Sequence, residues 1–105
     1  MEIKYQIEQA GKWHKINNFD DIPDNVYSID CSGNNLFSLP NWGNNWEDGK
    51  DKKDLKSFKN LYSIYCDDNY LGTLPNWSNL PNLHIISCSY SNINNAQEIK
   101  KIETP

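Results

Sequence analysis

Three cysteines are the residues of this 105-residue chain whose chemistry first needs an explanation. Cys31, Cys66 and Cys88 could bind a metal, act as nucleophiles or fill a core. Structural zinc sites need four ligands in a tetrahedral arrangement and usually include C-x-x-C pairs, but no two of these cysteines lie close together in sequence. A nucleophilic cysteine needs exposure and a neighbouring cation. Neither is expected at these three positions, so the cysteines are predicted to be buried filler.

Two adjacent carboxylates, Asp67 and Asp68, are the next candidates for chemistry. Paired carboxylates work as acid and base only when they converge, whereas neighbouring residues on a strand tend to face apart. The chain has only two histidines, His14 and His84, and no glycine-rich phosphate loop. No segment gathers a nucleophile, a base and oxyanion donors. The sequence therefore predicts a protein that is not an enzyme, with no metal and no cofactor.

Composition and charge argue against several other classes of protein. The formal net charge of -4 and the pI near 5.0 are unlike those of proteins that bind a phosphate backbone. No apolar run reaches the roughly 20 residues that span a bilayer, and the N-terminus lacks the apolar core of a signal peptide. An odd number of cysteines fits a reducing compartment. We therefore expect neither nucleic acid nor membrane as a partner, and a cytoplasmic location, in the host cytoplasm if the protein is viral or an effector.

The cysteines occupy one position of a repeated segment, and internal repeats decide architecture. The aligned segments are Val26-x-x-Ile29-x-Cys31-x-x-Asn34-x-Leu36-x-x-Leu39-Pro40, Leu61-x-x-Ile64-x-Cys66-x-x-Asn69-x-Leu71-x-x-Leu74-Pro75 and Leu83-x-x-Ile86-x-Cys88-x-x-Ser91-x-Ile93. In the third segment serine replaces asparagine and no Leu-Pro follows. The pattern resembles the leucine-rich repeat, L-x-x-L-x-L-x-x-N/C-x-L, of bacterial or viral type, over roughly residues 19 to 96.

The same pattern can be interpreted physically. The Ile-x-Cys alternation indicates a short strand with both side chains inward, and the following asparagine can bond the backbone of neighbouring turns. Trp42 and Trp77 recur at one repeat position, which favours core packing, while Leu74, Trp77, Leu80 and Leu83 indicate a short or irregular helical return. With the resemblance, this predicts an α/β solenoid: a leucine-rich repeat horseshoe segment with a parallel sheet on its concave face.

The predicted domain covers residues 1–105. Residues 1–18 are expected to form an N-terminal β-hairpin cap, residues 19–93 the repeats, and residues 94–105 a C-terminal helical cap. A loop inserted at about residues 43–55 contains Trp46, a large apolar side chain in a polar segment. Inserted loops in repeat proteins are often functional, although a tolerated surface loop is the alternative.

The resemblance implies a binding face, because leucine-rich repeat proteins usually bind partners on the concave sheet. The residues predicted to point outward there include tyrosines, which are common at protein interfaces, and aspartates, which favour a basic partner. Ser28 and Ser63 are expected to be among the outward residues, and Tyr27, Tyr62 and His84 are expected to form one column. The candidate partner-binding residues are Tyr27, Asp30, Tyr62, Tyr65, Asp67, Asp68, His84, Ser87, Tyr90 and Trp46.

These observations favour a non-enzymatic protein–protein interaction module whose partner carries a basic surface. The alternative hypothesis is a structural or assembly subunit of a larger complex or of a viral or phage particle, which self-associates through its open ends or sheet edge.

Overall fold

The structure, a computed structural model, describes residues 1–43 and 56–90. Its five strands are β1 (Ile3–Gln6), β2 (His14–Ile16), β3 (Ser28–Asp30), β4 (Ser63–Tyr65) and β5 (Ile85–Ser87). They form one sheet in the order β2-β1-β3-β4-β5. β1 pairs antiparallel with both β2 and β3, whereas β3, β4 and β5 are parallel, so the sheet is mixed.

The three parallel strands are held in register by the repeated residues. Ile29 pairs with Ile64, which pairs with Ile86, and all three side chains are buried. The residue after each strand is a cysteine, and Cys31, Cys66 and Cys88, all described, are buried and form no disulfide. The strands are short because the chain turns where apolar alternation ends.

The predicted leucine-rich repeat horseshoe is wrong, and so is its description as a solenoid. The structure is a small, compact domain of 36 × 30 × 28 Å with an open, mixed sheet. In the described ranges, the only helical element is a 3-10 turn at Phe19–Asp21. Antiparallel β1 extends the sheet beside β3, so the described residues build neither a helical outer layer nor a uniform superhelix.

The predicted helical return is also absent, for a physical reason. Leu80 N donates to Trp77 O and Leu83 N donates to Leu80 O, so the three-residue period of apolar residues corresponds to successive turns. Pro75 and Pro81 have no backbone N–H and cannot continue a helical hydrogen-bond pattern. The predicted C-terminal helical cap, residues 94–105, lies outside the described residues.

The core lies on one face of the sheet and is dominated by large rings from the segments that follow the strands. Trp42 and Trp77 are fully buried and stack at 5.9 Å between ring centroids, which confirms their predicted packing role. Phe58 and Phe19 pack against Trp42 at 5.4 and 5.7 Å. Aromatic area therefore supplies much of the burial in a chain of low mean hydropathy.

A backbone contact closes the long connection between β3 and β4. Gly43 N donates to Lys56 O at 2.8 Å, which brings the two sides of residues 44–55 together. Gly43 has φ of +85°, and a Cβ there would lie 3.1 Å from Leu80, so this position requires glycine. Lys56 also donates from Nζ to the carbonyl oxygens of Asp20 and Ile22.

Candidate functional site

The face of the sheet opposite the core, which we call the outer face, carries most of the predicted partner-binding residues. Because side chains alternate along a strand, residues flanking the buried Ile29, Ile64 and Ile86 point to this side. Strand register arranges them in two rows. The rows are Gln6, Ser28, Ser63 and Ile85, and then Lys15, Lys4, Asp30, Tyr65 and Ser87.

Three of the four residues in the first row are buried, and Ile85 is half-buried. Ser28 and Ser63 are 1% and 3% exposed, and their hydroxyl groups share a hydrogen bond of 2.5 Å. The expectation that these serines point into solvent is therefore wrong. Gln6, in register with Ser28, is also buried and donates from Nε2 to Gly11 O within the hairpin. This row joins strands rather than offering free groups to a partner.

The second row is more open to solvent than the first. Asp30 and Tyr65 are half-buried and directly in register on β3 and β4. Asp30 accepts a hydrogen bond from Ser32 N at 3.0 Å, which fixes its carboxylate near the C-terminal end of β3. Within the described ranges, the one ion pair joins Lys15 and Glu2, so Asp30 forms no ion pair there.

Asp67 is the most firmly held carboxylate of the candidate site. It accepts hydrogen bonds from Ser87 Oγ at 2.8 and 3.1 Å and from Ser89 N at 2.6 Å. Its own backbone N–H donates to Ser32 Oγ at 3.0 Å. Asp67 therefore links the ends of all three parallel strands and presents an oriented negative charge at the outer face.

Three rings form a column where the parallel strands begin. Tyr27 and Tyr62 stack with centroids 5.3 Å apart and planes 5° apart, and Tyr62 and His84 stack at 4.9 Å and 22°. The predicted column is confirmed. Tyr27 and Tyr62 are half-buried, His84 is exposed, and the His84 ring is fixed by a 2.7 Å contact between Nδ1 and Asn82 O. The three stacked rings form a rigid aromatic edge beside the buried serines of the first row.

The other predicted residues differ in their positions. Asp68 and Tyr90 occupy one repeat position, both in the left-handed region at φ of +56° and +57°, and both side chains point into solvent. Ser87 lies on β5 and orients Asp67. Trp46 and nearly all of the 43–55 insertion lie outside the described residues.

The cysteines are scaffold, as predicted, and their environment opposes ionisation. Burial raises the pKa of Cys31 to about 12, with the nearby Asp30 charge as the next cause. Burial also raises the pKa of Cys66, followed by its neighbours Cys31 and Cys88. Burial, followed by the Asp67 charge, raises the pKa of Cys88. Each thiol therefore stays protonated and unreactive near neutral pH.

Sequence reasoning missed two features. The first is the contribution of β1 and β2 to the outer face, through Lys4 and Lys15. The alternation of Ile3, Lys4 and Tyr5 predicts that Lys4 lies on the side of the strand opposite Ile3 and Tyr5. It does not predict that β1 pairs with β3. The second is a stacked pair in the segments after β3 and β4: Phe37 and Tyr70 are 77% and 53% exposed with centroids 5.8 Å apart. Their positions differ within the repeat, so alignment does not bring them together.

No group of three or more His, Cys, Asp or Glu residues is arranged to hold a metal ion in residues 1–43 and 56–90. Over the same ranges, the structure contains no helix with the length and apolar character to cross a membrane. Comparison of the chain with protein-family models, with curated proteins and with solved structures found no match.

Proposed function

We propose that the protein is a non-enzymatic binding module whose outer face docks on a protein with a basic surface. The observation that carries this proposal is Asp67: two donors from the β5 segment, the Ser87 hydroxyl group and the Ser89 backbone N–H, orient its carboxylate, and no described cation forms an ion pair with it. A fixed, unpaired charge on a sheet is ready to pair across an interface without further ordering. Asp30 adds a second such charge in the neighbouring repeat.

The aromatic residues supply contact area beside these charges. Tyr65 lies between Asp30 and Ser87 in the second row, and the column of Tyr27, Tyr62 and His84 borders the face. Tyrosine offers large, rigid area with a hydroxyl group, and its stacked neighbours already restrict the Tyr62 ring. Aspartates around the aromatic area would mainly steer a basic partner during association. We also propose a cytoplasmic location, which is supported by three described cysteines that form no disulfide.

The test is differential affinity capture followed by titration. Wild-type protein and the Tyr62→Ala plus Tyr65→Ala variant are immobilised and exposed to extract of the source cells. A matched control, Phe37→Ala plus Tyr70→Ala, removes two exposed rings that are not part of the outer face. Circular dichroism establishes that all three proteins fold.

The proposal expects a protein retained by the wild type and the control but lost by the outer-face variant. That protein, once purified, should bind Asp30→Asn more weakly than wild type, mainly through a slower association rate at low salt. If the outer-face variant captures the same proteins as the wild type with equal affinity, the proposal fails.

A further inference from the structure

The second row of the outer face has a sign pattern that can complement itself. From β2 to β4 the row runs Lys15, Lys4, Asp30 and Tyr65; Lys15 is ion-paired with Glu2, so the charges of this row that form no ion pair are the positive Lys4 on β1 and the negative Asp30 on β3. Lys4 and Asp30 are in register on neighbouring strands, but they form no ion pair. Both charges are therefore available to groups outside the molecule.

We propose that a second copy of this chain docks on the outer face, with Lys4 and Asp30 exchanged between the copies. The two-fold axis runs along the strands and passes between β1 and β3. β1 of one copy then lies over β3 of the other, and Lys4 of each copy faces Asp30 of the other. The symmetry therefore gives two Lys4–Asp30 pairs in the dimer. Such an interface is isologous, and aligned packing of two sheets is a common arrangement.

The charge pattern selects this register over the alternatives. An axis across the strands would place every side chain of the row over itself, Lys4 on Lys4 and Asp30 on Asp30. An axis along β3 would also place Asp30 on Asp30. Like charges in contact repel each other and oppose association. Of these three axes, only the one between β1 and β3 gives two opposite-charge pairs. It also places Lys15 of one copy over Tyr65 of the other copy, on the side where the Asp67 of that other copy lies.

The small area makes this a weak, reversible dimer. Four overlapping strands at about 4.8 Å spacing, each three or four residues long, cover roughly 200 Å² per copy. Stable interfaces bury about 800 Å² per partner. We therefore expect a monomer at low micromolar concentration and a dimer at high concentration. Since the dimer covers Tyr65 and Asp67, a partner bound at the same face would have to displace the second copy.

Charge-exchange variants test the dimer without any other protein. Sedimentation velocity of the full chain, from about 10 μM to about 1 mM in low salt, gives the association constant. In the Lys4→Asp variant positions 4 and 30 are both acidic, and in the Asp30→Lys variant they are both basic. Each single variant should associate at least about tenfold more weakly than wild type, because both exchanged pairs become repulsive. A 1:1 mixture of the two single variants should associate again, as a heterodimer.

A folding defect cannot produce that recovery on mixing. Lys59→Asp changes an exposed lysine outside the outer face and should leave the association constant unchanged. A wild type that stays monomeric up to about 1 mM, or single variants that do not associate when mixed, would overturn the proposed dimer. Neither result bears on the binding of a different protein, which the capture experiment measures separately.

Discussion

Asn69 is bonded to Cys31 across the boundary between two repeated segments: its Nδ2 donates to the Cys31 carbonyl oxygen at 3.1 Å. The same amide donates to the carbonyl oxygens of Cys66 and Asp67, and its Oδ1 accepts from the backbone N–H groups of Asn34 and Leu36. Asn69 is 1% exposed. One buried side chain thus bonds five backbone groups near the ends of β3 and β4, of which the Asp67 and Cys31 carbonyl oxygens also accept from Gly33 N and Asn34 Nδ2.

We expect Asn69→Ala to lower the free energy of unfolding by about 2–4 kcal/mol, because several buried backbone groups lose their partners together. Urea unfolding followed by tryptophan fluorescence measures the change. Asn34→Ala is the matched control: Asn34 bonds Glu2 and Cys31 in the same way but is only half-buried, so water replaces part of what is lost. Equal losses in the two variants would contradict the role assigned to burial.

Backbone conformation provides a second prediction. Gly33 and Asp68 occupy the same repeat position and have φ of +71° and +56°. A left-handed conformation is unfavourable for residues with a Cβ, so Asp68→Gly should stabilise the protein by about 0.5–1 kcal/mol. Thermal unfolding measures the shift. Its counterpart, Gly33→Ala, should destabilise by about 1 kcal/mol through conformation alone, since a Cβ there meets nothing within 4 Å.

The buried thiols predict a loss of stability at alkaline pH. The pKa of Cys31 is about 12 in the folded protein, above its ordinary value of 9.0, so the unfolded chain loses this proton first. The free energy of unfolding should therefore be at its full value below pH 9 and fall as pH rises towards 12, by up to about 1.4 kcal/mol per pH unit for each such thiol.

Urea unfolding under reducing conditions at pH 8, 9 and 10 measures this slope. The Cys31→Ala variant should be less stable than wild type at pH 8, by about 1–2 kcal/mol from the lost buried side chain, but should lose less stability between pH 9 and pH 10. An unchanged slope in this variant would mean that Cys31 is not the group responsible.

Lys56 carries a fourth prediction. Its Nζ donates to the carbonyl oxygens of Asp20 and Ile22 at 3.0 and 2.6 Å, which ties the start of the segment before β4 to the 3-10 turn. Lys56→Met keeps most of the apolar stem and removes both hydrogen bonds, so we expect a loss of about 1–2 kcal/mol in urea unfolding. Lys59→Met, at an exposed position nearby, should change stability by less than about 0.5 kcal/mol.

Local structure was more predictable from the sequence than architecture. Alignment of the repeats predicts that Ile29, Ile64 and Ile86 are equivalent, and these residues are in register in the sheet. It also predicts the buried cysteines and the asparagine that bonds neighbouring turns. These features depend on residues a few positions apart, where alternation and hydrogen-bonding capacity act directly.

The whole fold was not predictable in the same way. Family resemblance led to a horseshoe with a helical layer, but Pro75 and Pro81 interrupt the segment in which a helix was expected. Whether the N-terminal hairpin caps the sheet or becomes part of it depends on which strand pairs with β1. That pairing is a long-range contact, and the sequence of the hairpin alone does not determine it. For that reason the sequence predicted the acidic half of the outer face but not the lysines of its other half.

The contact between Gly43 N and Lys56 O has a consequence for how this protein can change. This bond joins the residues on the two sides of the inserted sequence, so we expect that sequence to gain or lose residues without shifting β4 against β3. Doubling a loop costs only about 0.6 kcal/mol in closure entropy. This point is therefore a natural acceptor for foreign peptides or reporter sequences, and a place where insertions and deletions can accumulate during evolution while the sheet keeps its register.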